Sequence, residues 1–203
     1  MLDKWAIKTI NPILAKSASL LKKGGVTPDQ ITILGFLVGV LAIPALWYQS
    51  YYLALSAIVV NRIMDGLDGA LARLRKPTDA GGFLDITLDF IFYSGTVLGF
   101  ALANPDQNAI AAATLIFSFM GTGASFLAFA VMAAKRNITS IHYPQKSLYY
   151  LGGLTEGTET IALFVLCCML PANFPILAYG FAFLCGITTV LRLFAGYHTL
   201  KNQ

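Results

Sequence analysis

Long stretches of this chain carry no charged side chain. Residues 30–61 contain none, and neither do residues 107–134 or 160–191. Only 12% of all residues are charged and 57% are hydrophobic, whereas about 25% of a soluble domain is charged. Because a helix needs about 20 apolar residues to cross a bilayer, these runs predict an all-α, polytopic membrane protein.

Turns divide the apolar runs into six predicted transmembrane helices. The breaks are polar or contain proline, as at Asn104-Pro105-Asp106 and Leu170-Pro171-Ala172-Asn173. The predicted spans are residues 29–48, 52–75, 81–103, 107–134, 146–170 and 174–199. Residues 2–23, where apolar side chains alternate with lysines, are predicted to form an amphipathic helix on the membrane surface. We interpret residues 1–203 as a single membrane domain.

The basic residues all fall on one side of this predicted topology. The 14 Lys and Arg residues lie in the N-terminal segment, around the second and fourth connections, and near the end of the chain, whereas residues 49–51, 104–106 and 171–174 contain none. The positive-inside rule therefore predicts an inner, cytoplasmic-type membrane with both termini in the cytoplasm. The basic residues form no stripe, which excludes a nucleic-acid binder despite the net charge of +4.

Four aspartates lie inside the predicted spans, where an ionisable group costs at least ~2.5–3.5 kcal/mol. Asp65 and Asp68 are three residues apart on the second span, and Asp85 and Asp89 are four apart on the third. Each spacing places its pair on one helix face. Because the connecting loop is short, the two helices are predicted to be antiparallel neighbours, and the four carboxylates should converge near the cytoplasmic end.

Three explanations are open for such a cluster. The carboxylates could form ion pairs with Arg62, Arg73 and Arg75. They could stay partly protonated as a proton relay. They could also bind divalent cations, since carboxylate oxygens suit Mg²⁺ or Mn²⁺.

Residues with small side chains accompany the acids, namely Gly69, Ala72, Gly81 and Gly82. They leave room beside the carboxylates for the base or the phosphates of a ligand. Helix packing in membranes uses such residues as well. The carboxylate cluster, the nearby arginine and the space beside them together favour phosphate chemistry on a metal ion.

A long motif connects these residues. The segment Asp65-Gly66-Leu67-Asp68-Gly69-Ala70-Leu71-Ala72-Arg73, followed by Gly81, Asp85 and Asp89, resembles the signature of the CDP-alcohol phosphotransferases. The family pattern has eight residues between its arginine and its next glycine, and this chain has seven, residues 74–80. The segment Thr27-Pro28-Asp29-Gln30-Ile31-Thr32 also resembles the family's opening of the first span, which is usually Thr-Pro-Asn.

The resemblance implies a reaction and assigns roles to the matching residues. A phosphatidyl (phosphoalcohol) group would pass from a CDP-alcohol such as CDP-diacylglycerol to a small alcohol acceptor in phospholipid biosynthesis, with release of CMP. The implied ligands of Mg²⁺ or Mn²⁺ are Asp65, Asp68, Asp85 and Asp89. Asp89 is also the implied catalytic general base. The implied CDP-binding residues are Gly69, Ala72 and Arg73. Members of the family are usually homodimers.

Two further acids begin the predicted fifth span. Glu156 and Glu159 are three residues apart, at the predicted cytoplasmic depth of the aspartates. They either serve the helix start, where the dipole favours acids, or bind the acceptor. Family members that use phosphorylated acceptors tend to carry basic residues at this place. Acids here therefore favour a polyol or an amino-alcohol as the acceptor.

A second class of function uses the same carboxylates. A non-catalytic cation or proton transporter would also place acids inside a membrane. Transporters often contain internal repeats, and no repeat is visible in this sequence. The phosphotransferase hypothesis also accounts for the glycine, alanine and arginine at their fixed positions, so we favour it.

Overall fold

A computed structural model describes residues 14–136, 138 and 153–201, and within these ranges every regular element is helical. The helices are α1 (residues 14–23), α2 (Pro28–Val40), α3 (Ala42–Trp47), α4 (Tyr51–Arg75), α5 (Asp79–Ala103), α6 (Pro105–Lys135), α7 (Gly157–Met169) and α8 (Phe174–Lys201), with a 3₁₀ turn at Pro171–Asn173. The predicted all-α class is therefore confirmed for the described residues.

Capping side chains determine where several helices begin. The Thr27 hydroxyl accepts a hydrogen bond from the Gln30 amide at 3.3 Å, and the Gln30 side chain accepts one from the Thr27 amide at 3.0 Å. This reciprocal capping box begins α2. Thr78 caps α5 by accepting from the Gly81 amide at 3.1 Å. Thr27 and Thr78 thus place two helix starts next to the predicted site.

The first predicted span consists of two helices. Helix α2 ends at Val40 and α3 begins at Ala42, with Leu41 between them. Pro44 lies in the first turn of α3 and has no amide hydrogen to donate to the Val40 carbonyl. The proline thus explains why the helix is interrupted within an otherwise apolar run.

Four of the described helical segments are long and apolar enough to cross a membrane. They are Pro28–Trp47, Asp79–Ala103, Pro105–Lys135 and Pro171–Lys201. Helix α4 has 25 residues but carries the charges of the motif, and α7 has 13 residues. Helix α7 begins at Gly157, whereas the predicted fifth span begins at residue 146; residues 146–152 lie outside the described residues. Residues 2–13 of the predicted surface helix also lie outside them.

Helix α2 packs against both α4 and α5, while α6 packs along α8. Glycines allow the α2–α4 approach: a Cβ atom on Gly39 would lie 2.8 Å from Nδ2 of Asn61 and 2.9 Å from the Phe92 ring. Neither distance leaves space for a side chain, because real Cβ atoms do not come this close. The close approach brings the α4 and α5 residues of the candidate site around α2.

The outer surface of the bundle is apolar. Large hydrophobic side chains such as Phe117, Met120 and Phe183 are exposed rather than buried. An apolar surface of this extent is typical of contact with lipid.

Candidate active site

The four motif aspartates meet beside α2. The sequence predicts that the helices carrying them are neighbours, but α4 and α5 both pack against α2 and approach each other closely at few points. The carboxylates project into the space left between the two helices. Residues Thr32, Gly35, Phe36, Asn61, Arg62, Asp65, Asp68, Asp85, Leu88 and Asp89 surround a cavity of about 10 Å³ there. This is about the smallest cavity that can hold one water molecule.

Three of the aspartates form a compact group, the carboxylate trio. Asp65, Asp68 and Asp85 each offer a carboxylate oxygen, and the three oxygens lie within 4.8 Å of one another. Oxygen ligands around one Mg²⁺ at about 2.0–2.1 Å stand about 3–4 Å apart. A small adjustment of the side chains would bring the trio to that spacing. The donor set and its spacing therefore fit a small divalent cation.

Asp68 is the most buried member of the trio, with 6% of its surface exposed. The Thr32 hydroxyl on α2 donates a hydrogen bond to its Oδ2 at 2.5 Å. The same hydroxyl lies 3.1 Å from the Pro28 carbonyl. A buried carboxylate needs such a donor, and this one ties the trio to the start of α2. Thr32 lies outside the aspartate motif, although it ends the segment of residues 27–32 that resembles the family's opening of the first span.

Asp89 is held in a different way from the trio. Arg62 donates from Nη2 to Oδ1 of Asp89 at 2.7 Å, and the Tyr93 hydroxyl donates to Oδ2 at 3.3 Å. Arg62 also donates from Nη1 to the Tyr93 oxygen at 3.0 Å, and the same nitrogen is 3.6 Å from Oδ2 of Asp65. The ion-pair explanation thus applies to Asp89 and, at a longer distance, to Asp65, while the spacing of the trio also suits a metal ion.

A larger cavity opens from the trio. Its volume is about 320 Å³, within the range of ligand pockets. The lining residues are Thr27, Pro28, Asp29, Thr32, Asp68, Gly69, Ala72, Arg75, Lys76, Pro77, Thr78, Gly81, Gly82 and Asp85. Of the predicted CDP-binding residues, Gly69 and Ala72 thus line this cavity. Arg73 lies beside it, since its Nη1 atom is 3.4 Å from where a Cβ on Gly69 would be.

Arg75 and Lys76 also line this cavity, although the motif does not include them. These two cations share the lining with three glycines, Gly69, Gly81 and Gly82, and such a lining suits the phosphates of a ligand. Their position after the motif arginine is the signal that could have found them. Tyr93 could likewise have been found, because it lies one helical turn after Asp89 on the same face.

The two predicted acceptor-binding acids lie at the start of α7. Glu156 is the N-cap residue, and its amide donates to Oε2 of Glu159 at 3.1 Å in a capping box. The Glu156 side chain also accepts from the Gly153 amide at 3.1 Å. Neither glutamate is among the described residues that line the two cavities. However, a Cβ on Gly157 would lie 3.4 Å from the Tyr93 hydroxyl, so this helix start adjoins the residue that holds Asp89.

The sequence of this chain matches a known protein family. The sequence profile of the CDP-alcohol phosphatidyltransferases matches residues 25–194. This chain belongs to that family. The matched region includes all four aspartates, so the family and the class of enzyme predicted from the motif are confirmed. Membership does not favour the transporter alternative.

Relatives of known name support this assignment. Inner membrane protein YnjF of Escherichia coli is 55% identical over 202 residues, which are 100% of this chain and 98% of that protein. An archaetidylinositol phosphate synthase of Pyrococcus horikoshii is 38% identical over 121 residues, or 59% of this chain and 64% of that protein. With four apolar helices long enough to span a bilayer, this family member is an integral membrane protein.

A solved structure shares the fold. The crystal structure of phosphatidylinositol phosphate synthase from Mycobacterium tuberculosis with CDP-DAG bound has a TM-score of 0.74. It is 22% identical, and the match covers 92% of this chain and 94% of that one. A second structure of the same enzyme, in complex with manganese and citrate, also has a TM-score of 0.74. At this identity the likeness concerns the fold.

Proposed function

We propose that this protein transfers a phosphatidyl group from CDP-diacylglycerol to a small hydroxyl acceptor and releases CMP. The observation that carries the proposal is the joining of two cavities. Asp68 and Asp85 of the carboxylate trio also line the larger cavity, and so do Arg75 and Lys76. A ligand with phosphates in the larger cavity would therefore have its reacting phosphorus beside the acids.

Asp65, Asp68 and Asp85 are the proposed ligands of Mg²⁺ or Mn²⁺, with Asp89 facing the same site. The spacing of the trio supports this assignment, and so does the fold shared with an enzyme whose structure was solved with manganese. A bound ion would supply charge stabilisation for the pyrophosphate and for the departing CMP. The hydrogen bond from Thr32 would hold Asp68 toward the other two acids of the trio.

The larger cavity is the proposed site of the CDP group. Gly69 and Ala72 present almost no side chain, which leaves a flat wall for the nucleotide. Arg73 adjoins Gly69, and with Arg75 and Lys76 it would attract the phosphates. The bound CDP-DAG of the structurally similar enzyme supports this choice of donor.

Asp89 is the proposed general base. It would accept the proton of the acceptor hydroxyl while that oxygen forms a bond to the β-phosphorus of the CDP-lipid. The bond between this phosphorus and the bridging oxygen breaks, and CMP leaves with the electron pair. The charge is balanced because the proton moves to the carboxylate as the phosphate of CMP becomes dianionic.

Glu156 and Glu159 are proposed to contact the acceptor. Their helix start adjoins Tyr93, which donates to Asp89, so the acceptor could reach both Asp89 and this part of α7. Carboxylates suit hydroxyl or amine groups, which favours a polyol or an amino-alcohol. The relatives named for inositol phosphate lipids make inositol phosphate the competing acceptor to test.

We also propose the six-span topology with both termini and the site in the cytoplasm, as a single domain that forms a homodimer. The one-sided distribution of Lys and Arg supports the orientation. The apolar surface of the bundle and the 31-residue length of α6 are compatible with membrane crossing. Helix α4 then crosses with its charged half at the cytoplasmic side.

Release of CMP tests the function directly. The purified protein would be incubated with CDP-diacylglycerol and Mg²⁺ or Mn²⁺, and with inositol phosphate, glycerol 3-phosphate, serine, ethanolamine or glycerol. We expect CMP with one class of acceptor, and its loss with a chelator or in Asp68→Asn and Asp89→Asn. Asp106→Asn, at the far end of α5 and α6, is the matched control and should remain active. CMP release that survives chelation would contradict the proposal, as would inactivity with every acceptor.

A further inference from the structure

Helix α1 packs against α4 on a face that does not line the larger cavity. Ala18 of α1 is fully buried and forms a small core with Ala70 and Leu71 of α4. A Cβ atom on Gly66 of α4 would lie 2.9 Å from Cδ1 of Leu14, so the glycine permits this close approach. None of these five described residues lines the larger cavity. Helix α1 therefore supports the motif helix from outside the site.

A tight turn fixes the direction of α1. Gly25 has a φ of 79°, in the left-handed region that favours glycine. Its amide donates to the Lys22 carbonyl at 3.2 Å, and the Val26 amide donates to the Leu21 carbonyl at 3.2 Å. These two bonds close a Schellman motif at the end of α1. The capping box of α2 begins at the next residue, Thr27, so the last turn of α1 has a defined place beside α2.

This last turn reaches the end of the motif helix. Nζ of Lys22 donates a hydrogen bond to the Leu74 carbonyl of α4 at 2.7 Å, across 52 positions of the chain. The last four carbonyls of a helix have no partner within the helix. The residue that ends α4, Lys76, has extended backbone angles (φ −176°, ψ 122°) rather than those of a left-handed glycine cap. Lys22 thus caps α4 from another helix, and its charge suits the negative end of the helix dipole.

The cap adjoins the cations of the larger cavity. The Leu74 carbonyl and the Arg75 amide belong to one planar peptide unit, and Lys76 follows directly. Both Arg75 and Lys76 line the cavity, whereas Lys22 is not among its lining residues. A hydrogen bond to the Leu74 carbonyl therefore restrains the backbone from which both cationic side chains extend.

We propose that Lys22 is a positioning residue that holds Arg75 and Lys76 at the larger cavity and so increases its affinity for the phosphates of a nucleotide. The proposal rests on the proposed function, in which this cavity takes the CDP group. Thr32 of α2 binds Asp68 independently of α1. Loss of the cap should therefore weaken nucleotide binding and leave the chemical step nearly unchanged.

The first test compares Lys22→Met with Lys23→Met. Both variants remove one exposed cation from the end of α1, and the Leu74 carbonyl loses its donor only in Lys22→Met. We expect Lys22→Met to raise the Kd for CDP, measured by calorimetry, and the KM for CDP-diacylglycerol about three- to tenfold, the worth of a typical hydrogen bond. The kcat should stay within about twofold, because a lost binding contact raises KM alone.

Two further variants of these lysines separate position from charge. Lys23→Met should change the Kd for CDP less than about twofold at 0.15 M salt, where exposed charges are screened. Lys22→Arg keeps a charged donor and should restore most of the affinity. An equal rise of the Kd in Lys22→Met and Lys23→Met would overturn the proposal, because charge alone would then explain it.

A second pair of variants leaves every charge in place. Ala18→Leu forces extra atoms between α1 and α4, and such overpacking shifts the backbone around it. Ala15→Leu makes the same change at an exposed position of α1 and is the matched control. We expect the Kd for CDP to rise in Ala18→Leu and to keep its wild-type value in Ala15→Leu. Equal Kd values in the two variants would contradict a role of α1 in placing the end of α4.

Hydrogen exchange of the α4 amides gives a readout that needs no ligand. The last turn of α4 should exchange faster in Lys22→Met than in Lys23→Met, because an uncapped helix end opens more often. Equal exchange in both variants would overturn the proposal. If the wild-type protein binds CDP but releases no CMP, the proposed function fails, and the comparison of Kd values still decides the role of Lys22. If the wild-type protein does not bind CDP, both proposals fail.

Discussion

Gly69 offers a sharp test of where the nucleotide binds. It lies in the interior of α4 and lines the larger cavity. A Cβ at this position would meet only Nη1 of Arg73, at 3.4 Å, which is ordinary van der Waals contact. The protein itself therefore accommodates Gly69→Ala, and the added methyl group projects toward the space proposed for CDP.

Two effects of opposite sign follow for Gly69→Ala. Alanine is about 0.8–1 kcal/mol more favourable than glycine in a helix interior, so the free energy of unfolding should not fall. A methyl group forced against a well-fitting ligand costs about 1–3 kcal/mol, as overpacking does in a core. At 1.4 kcal/mol per tenfold change, binding of CDP-diacylglycerol should weaken about 5- to 150-fold.

The measurements are the KM for CDP-diacylglycerol and the thermal unfolding temperature, Tm, in the same detergent. Gly180→Ala on α8 is the matched control, since a Cβ there would meet nothing within 4 Å. We expect this control to keep the wild-type KM. A Gly69→Ala variant with unchanged KM would refute the reasoning, and so would a variant whose KM rises only because its Tm has fallen.

Three other expected outcomes test separate parts of the proposal. Thr32→Val removes the donor to Asp68 and should weaken Mn²⁺ binding about 10- to 100-fold, the usual effect of removing a partner that orients a metal ligand. Thr32→Ser should restore most of the affinity. Equal affinities of the wild-type protein and Thr32→Val in a calorimetric titration would contradict this role. Arg75→Ala should raise the KM for CDP-diacylglycerol and leave the KM for the acceptor unchanged in steady-state kinetics; an equal rise in both would argue against a phosphate contact. A cysteine at Thr78 should react with an impermeant maleimide only from the cytoplasmic side and one at Asp106 only from the other side, and the reverse pattern would reject the topology.

Much of the fold follows from periodicity and turns that are visible in the sequence. The predicted third, fourth and sixth spans begin at residues 81, 107 and 174, and the corresponding helices begin at Asp79, Pro105 and Phe174. Prolines and capping residues produce these boundaries locally, so they can be found without tertiary information. The start of α7 at Gly157 was harder to predict, because its N-cap is a glutamate rather than one of the usual capping residues.

The site is also partly readable from the sequence. Helical periodicity predicts that Asp65 and Asp68 share one helix face and that Asp85 and Asp89 share another. The spacing alone does not predict that Asp65, Asp68 and Asp85 offer oxygens within 4.8 Å of one another while Asp89 pairs with Arg62. That difference depends on Arg62, which lies on another helix, and on Tyr93, whose hydroxyl direction depends on packing.

The sequence by itself determined the helical class, the apolar surface, the family and the identity of the acids. These depend on composition and on spacing along one helix, which are local properties. Only the tertiary structure decided that α2 packs against both α4 and α5, that Thr32 binds Asp68, and that Arg62 pairs with Asp89. The physical reason is that a buried carboxylate takes whichever donor the packing of other helices brings within about 3 Å, and no spacing along the chain specifies that donor.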